Sequence, residues 1–128
     1  MSNVTTVKVG PLTYKVLLVT DKSDKDFFNK DGTLRMYGEC NYINQTICIN
    51  KYISEEKLLV TLTHELTHAY IDTMYRGVLV SRDDSLNEEE IAHFFGMYGA
   101  IIITEARRLF VEILNGKRDE SNGMQEKH

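Results

Sequence analysis

The chain has 128 residues, of which 42% are hydrophobic and 27% charged. That length and balance suit one water-soluble globular domain with its own core and exclude a disordered or low-complexity chain. The formal net charge of −4, with no basic cluster longer than Arg107-Arg108 or Lys117-Arg118, speaks against a nucleic-acid partner. The strongest apolar run, Ala100-Ile101-Ile102-Ile103, is far too short to span a bilayer, and the first residues lack the basic-then-apolar order of a secretory leader. A cytoplasmic protein with no membrane contact is therefore expected, its two cysteines, Cys40 and Cys48, kept as thiols.

Residues 4–9 and 14–20 are rich in β-formers and are separated by Gly10-Pro11, which predicts a hairpin or meander. Residues 21–36 are polar, carry an Asp31-Gly32 turn signal and read as a loop, with room for a short helix around 24–28. Residues 37–50 predict a second hairpin turning at Asn44-Gln45. Cys40, Tyr42, Ile47 and Ile49 then share one face, and Cys48 lies on the other, where it cannot bridge to Cys40. Ser54, with Glu55 and Glu56 behind it, starts a helix over residues 54–74. Its buried stripe is Leu59, Leu62, Leu66 and Ala69, and Arg76-Gly77 ends it. Asp83, Asp84, Ser85 and Asn87 all offer caps for a second helix over 86–114; Gly96 and Gly99 weaken it by roughly 1 kcal/mol each. One domain over residues 1–115 with a frayed polar tail over 116–128 is the expected organisation.

The segment that carries chemistry is His64-Glu65-Leu66-Thr67-His68, an H-E-x-x-H pattern inside the first helix. Residues four apart share a helical face and lie about 6 Å apart along the axis, so two imidazoles can converge on one cation. Glu65 follows His64 directly and can reach a water on that cation. A zinc-bound water has its pKa lowered to roughly 7, and a neighbouring carboxylate can take its proton and later give it to a leaving amine. His64 and His68 are therefore candidate metal ligands, zinc the expected cofactor, and Glu65 the candidate catalytic base.

A catalytic zinc needs a third protein ligand. Asp72 is about 12 Å along the axis from His64, too far on a straight helix, and reads as an outer carboxylate or a solvated residue. The extended pattern with glycine at 71 and histidine at 74 is excluded by Ile71 and Met74. That leaves Glu88, Glu89, Glu90 and His93 at the start of the second helix. Glu89 shares a line with Ala92, His93, Gly96 and Ala100, a small-residue face on which the second helix could pack closely against the motif helix. Glu89 is the preferred third ligand on that ground, with His93 beside it.

Other patterns fail. The run Phe27-x-Asn29-x-Asp31-Gly32 has the outline of a calcium loop, but Phe27 stands at the first ligand position. Cys40 has no C-x-x-C partner, and no glycine-rich phosphate loop exists. Tyr37, Tyr42, Tyr70 and Tyr75 read as core or wall residues, Tyr75 being nearest the metal side.

A hairpin leading into His64-Glu65-Leu66-Thr67-His68, followed by Glu89-Glu90-Ile91-Ala92-His93-Phe94-Phe95-Gly96, resembles the minimal gluzincin metallopeptidases of the ImmA/IrrE type, common in phages and mobile elements. The resemblance covers roughly residues 37–110 and maps the glutamate ligand to Glu89, with Gly96 in place of the usual alanine and His93 in place of Asn or Asp. It implies an α+β, zincin-like fold: a small antiparallel sheet on two main helices, with one catalytic zinc. It also implies hydrolysis of peptide bonds in a specific intracellular protein such as a repressor or regulator. The alternative is a catalytically silent metallopeptidase-like binding module of a phage or mobile element, against which the intact Glu65 speaks. A structural protein whose histidines bind nothing is the remaining rival.

Overall fold

In a computed structural model of the chain, which describes residues 2–81 and 85–126, four strands precede two helices. They are β1 (Ser2–Val9), β2 (Leu12–Val19), β3 (Gly38–Asn41), β4 (Thr46–Asn50), α1 (Glu55–Ser81) and α2 (Glu88–Glu126). The α+β class is as expected, but the sheet is mixed rather than antiparallel, with strand order β1-β2-β4-β3 and β2 parallel to β4.

The cause lies in the segment between the hairpins. Leu18 of β2 and Gly38 of β3 both sit opposite Ile49, so residues 21–36 return the chain to the end of the sheet that β2 left. β3 must then run against β2, and its hairpin mate β4 must run with it. β4 takes the inner place because Ile47 and Ile49, both 0% exposed, need cover on two sides, while the polar β3 tolerates an edge.

β1 and β2 turn at Gly10-Pro11, with Val9 opposite Leu12 and Gly10 at φ 60, a conformation that glycine reaches without a Cβ clash. In the second hairpin Cys40 faces Ile47 and Gly38 faces Ile49, two residues from the expected register, because residues 42–45 all belong to the turn. A slip of two preserves side-chain parity. Cys40 therefore still shares a face with Ile47 and Ile49, Cys48 still lies on the other, and no disulfide joins them.

Residues 21–36 are more than a loop. Asp21, Asp24 and Asp31 cap their own turns through backbone N–H groups two residues on. That leaves Phe27 and Phe28 to pack with Val19 beneath the outer face of the sheet, against Leu34, Met36 and Cys48. Only a single turn, closed by the Phe28 N–H on the Asp24 carbonyl at 3.0 Å, stands where a short helix was expected.

α1 begins after Ser54, whose carbonyl accepts from the Lys57 and Leu58 amides at 3.1 and 3.0 Å. It runs on to Ser81, past Arg76-Gly77, because Gly77 keeps helical backbone rather than the left-handed turn that ends helices. Its core stripe is Leu58, Leu62, Leu66 and Ala69; Leu59, expected inside, is only half-buried. α2 starts on a capping box: Glu90 N–H donates to Asn87 Oδ1 at 2.9 Å and Asn87 N–H to Glu90 Oε1 at 3.1 Å. Of the other expected caps, Asp83 and Asp84 lie outside the described residues. The helix continues through the expected boundary near 115 to Glu126, and Lys51 Nζ pairs with Glu120 Oε2 at 3.1 Å on that extension.

The two helices run antiparallel, with Tyr75 against Phe94 and Tyr70 against Tyr98, ring centroids 5.7 Å apart in both pairs. Together they cover the inner face of the sheet with Leu62, Leu66, Ile102, Leu109 and Ile113. The expected contact face of small residues is not used. Ala92, His93, Gly96 and Ala100 are exposed, and a Cβ built at Gly96 would meet nothing within 4 Å. The bulky stripe Phe94, Tyr98, Ile102 turns inward instead, because it removes more apolar surface from water.

Candidate metal centre

α1 carries His64 and His68 one turn apart on its solvent side and turns Glu65, about 100° further round, towards the sheet. The histidine Nε2 atoms converge to 3.1 Å, with ring centroids 4.7 Å apart and planes at 77°. Together with a Glu65 carboxylate oxygen, their ligand atoms lie within 4.8 Å of one another. Neighbouring hydroxyls do not compete, since Thr63 Oγ1 donates to the Leu59 carbonyl at 2.8 Å and Thr67 Oγ1 to the Thr63 carbonyl at 2.7 Å.

Glu65 is 7% exposed and sits between α1 and β3. Among the described residues nothing hydrogen-bonds to its carboxylate. Burial pushes its pKa above the ordinary value; the neighbouring His64 opposes this and Glu39 adds to it. Burial lowers the pKa of His68, and the charge of His64 lowers it further, so its ring favours the neutral form that offers a lone pair.

Glu65 fits there because residue 38 is glycine. A Cβ at Gly38 would stand 2.7 Å from Thr61 Cγ2 and 3.2 Å from both Cγ and Oε2 of Glu65. The buried Asn50 holds this end of β3: its N–H donates to the Tyr37 carbonyl at 2.8 Å and its Nδ2 to the Met36 carbonyl at 3.1 Å. Cys40, also on β3, has its thiol pKa pushed up to about 12, first by burial and then by Glu65 and Asp72.

Two clefts meet at the pair. On the sheet side Tyr37, Gly38, Thr61 and Glu65 line one of about 240 Å³. On the α2 side a groove of about 560 Å³ is lined by residues of both helices, including His64, His68, Ile103 and Arg107. Val60 and His64 belong to both.

His64, Glu65 and His68 are thus brought together; Glu89 is not. It is exposed in the first turn of α2, and Phe94, five residues on, is level with Tyr75, seven residues past His68. At 1.5 Å per residue Glu89 lies about 18 Å from His68 along the helix axes. Glu88 and His93 are exposed on the same stretch, and the Glu90 carboxylate is engaged in the cap. The Asp72 carboxylate lies 4.0 Å from Arg76 Nε and close enough to Tyr14 and Cys40 to raise their pKa values. Tyr75 packs edge-on against Phe94 as a wall residue.

The donor pair fits a cation. Two nitrogens about 2.0–2.1 Å from one tetrahedral zinc stand about 3.3 Å apart, close to the 3.1 Å found here. The same separation serves a single N–H···N bond between the rings when no cation is held. No protein-family model, curated protein or solved structure matches the chain. No helix among the described residues is long and apolar enough to cross a membrane.

Gly38, Asn50 and Arg107 escaped the reading of the sequence. A glycine entering a short polar strand was the one available signal for a close approach. Asn50 carries no local pattern, because its partners Phe27 and Met36 are far away in the chain, and Arg107 comes to line a groove with the histidines only through the packing of the two helices.

Proposed function

We propose that the protein is a zinc-dependent peptide hydrolase built on the His64-Glu65-Leu66-Thr67-His68 pattern, acting on a specific intracellular protein such as a repressor or regulator. The observation that supports this best is the convergence of two imidazole nitrogens at 3.1 Å beside a buried carboxylate whose pKa is raised. His64 and His68 would hold the metal, which supplies Lewis acidity and a water of lowered pKa. Glu65 accepts the proton of the attacking water on its carboxylate and returns it to the departing amine nitrogen. A carboxyl whose pKa is raised by burial suits both directions of that transfer. The exposed edge of β3 alongside Glu65 offers backbone groups with which an extended substrate can pair.

The test is Glu65→Gln in the full chain. Zinc content measured on the purified protein should equal wild type, and hydrolysis of a peptide library should vanish. Turnover near wild type in that variant would remove Glu65 from the mechanism.

One observation favours a second reading, a catalytically silent binding module. Among the described residues, no other element supplies a third ligand to His64 and His68. Zinc bound at one equivalent with no cleavage of any library peptide would decide for that module.

A further inference from the structure

We propose that the groove on the α2 side of the histidine pair recognises an extended peptide in which an apolar residue is followed by an acidic one, and that Arg107 determines this specificity. The choice of a peptide as occupant rests on the hydrolase reading above. The walls are Leu59, Val60 and Ile71 of α1 and Ile103 of α2, and the two imidazoles close one side. Val60 is 68% exposed and Ile103 39%, so the groove presents apolar surface directly to water. Its volume of about 560 Å³ is within the usual range of ligand sites, roughly 300–1,000 Å³.

The charge in the groove is one-sided. No carboxylate lines it, and Arg107 is its guanidinium. Arg107 has no ion pair or hydrogen bond among the described residues. The adjacent Arg108 shows the contrast, bound to Glu105 at 2.7 Å and Glu112 at 2.9 Å. In a chain with 19 acidic and 15 basic side chains, this leaves a planar, two-pronged donor waiting for a carboxylate at the end of an apolar trough. One turn of helix separates Arg107 from Ile103, so a peptide seating an apolar side chain against Ile103 brings its next residues to the guanidinium. The groove joins the sheet-edge cleft at Val60 and His64, so one extended chain can lie along β3 and fill both.

The experiment uses the full, zinc-loaded chain and fluorescent, C-terminally amidated peptides that differ only in Leu-Glu, Leu-Gln or Leu-Lys. Binding is read by anisotropy on Glu65→Gln, which leaves the peptide intact, and cleavage is read on the otherwise wild-type chain. The Leu-Glu peptide should bind roughly fivefold tighter than Leu-Gln, as suits an exposed ion pair. Rising salt should erode the advantage. Adding Arg107→Gln should abolish it, and Arg107→Glu should turn it towards Leu-Lys, with thermal melting showing that each variant is folded. Equal binding of the three peptides, or an advantage that survives Arg107→Gln, overturns the proposal. A preference in binding with no cleavage leaves the groove standing and removes the hydrolase; cleavage without preference does the reverse.

Discussion

The close approach at Gly38 gives the most demanding prediction. Alanine there would put its Cβ 2.7 Å from Thr61 Cγ2, about 1 Å inside ordinary carbon–carbon contact. Thr61 is 6% exposed and β-branched in a helix, so it cannot easily rotate away. β3 cannot slide freely either, because Asn50 holds the Tyr37 carbonyl. Overpacking of this kind costs about 1–3 kcal/mol, while restricting the unfolded chain returns about 0.4–1 kcal/mol. Gly38→Ala should therefore lose a net ~0.5–2 kcal/mol in urea denaturation with an unchanged slope. The second contact falls on the Glu65 carboxylate, so the hydrolysis proposed for it should drop while the proposed zinc binding at His64 and His68 is kept. Thr61→Ser deletes the clashing methyl, and the double variant should recover most of the loss, a coupling of about 1 kcal/mol. A Gly38→Ala protein as stable as wild type, or a loss of the same size in the Thr61→Ser background, would refute the reasoning.

Three further outcomes follow from other parts of the molecule. Asn87→Ala removes half of the capping box of α2 and should cost about 1 kcal/mol, measured by thermal or urea unfolding. Glu89→Ala should leave zinc retention at the wild-type level, because Glu89 is exposed in the first turn of α2, well away from the histidines; loss of zinc would show that α1 and α2 meet differently when metal is held. The metal-free chain should respond to pH through Glu65. Its folded pKa is raised above the ordinary 4.5, so its contribution is favourable below that value and is lost as pH rises through the folded pKa. Glu65→Gln should then melt higher than wild type at pH 7, with the difference closing below about pH 4.5; an equal or lower melting temperature at pH 7 would contradict it.

The candidate centre was legible because its geometry is local. Two imidazoles four residues apart on a helix face one point whatever the helix packs against, and Ser54 with two glutamates marks where that helix begins. The hairpin at Gly10-Pro11 and the parity that separates Cys40 from Cys48 were readable for the same reason: a turn and an alternation are set within a few residues. The choice of Asn87 among four caps was less so, since a cap is selected by where the core stripe of the helix has to start.

Single-chain patterns do not contain long-range pairing. The parallel seam between β2 and β4 depends on which end of the sheet residues 21–36 return to, and those residues gain their order by burying Phe27 and Phe28 rather than from any periodicity of their own. The facing of α2 was decided by competition between two stripes, one small and one bulky, and the bulky one removes more apolar area from water. That rotation, with the length of α1, sets Glu89 away from the histidines and brings Ile103 and Arg107 to their groove. Sequence alone thus determined the atoms able to grip a cation; tertiary packing decided what stands beside them, because burial is a sum over the whole chain and spacing along one helix is not.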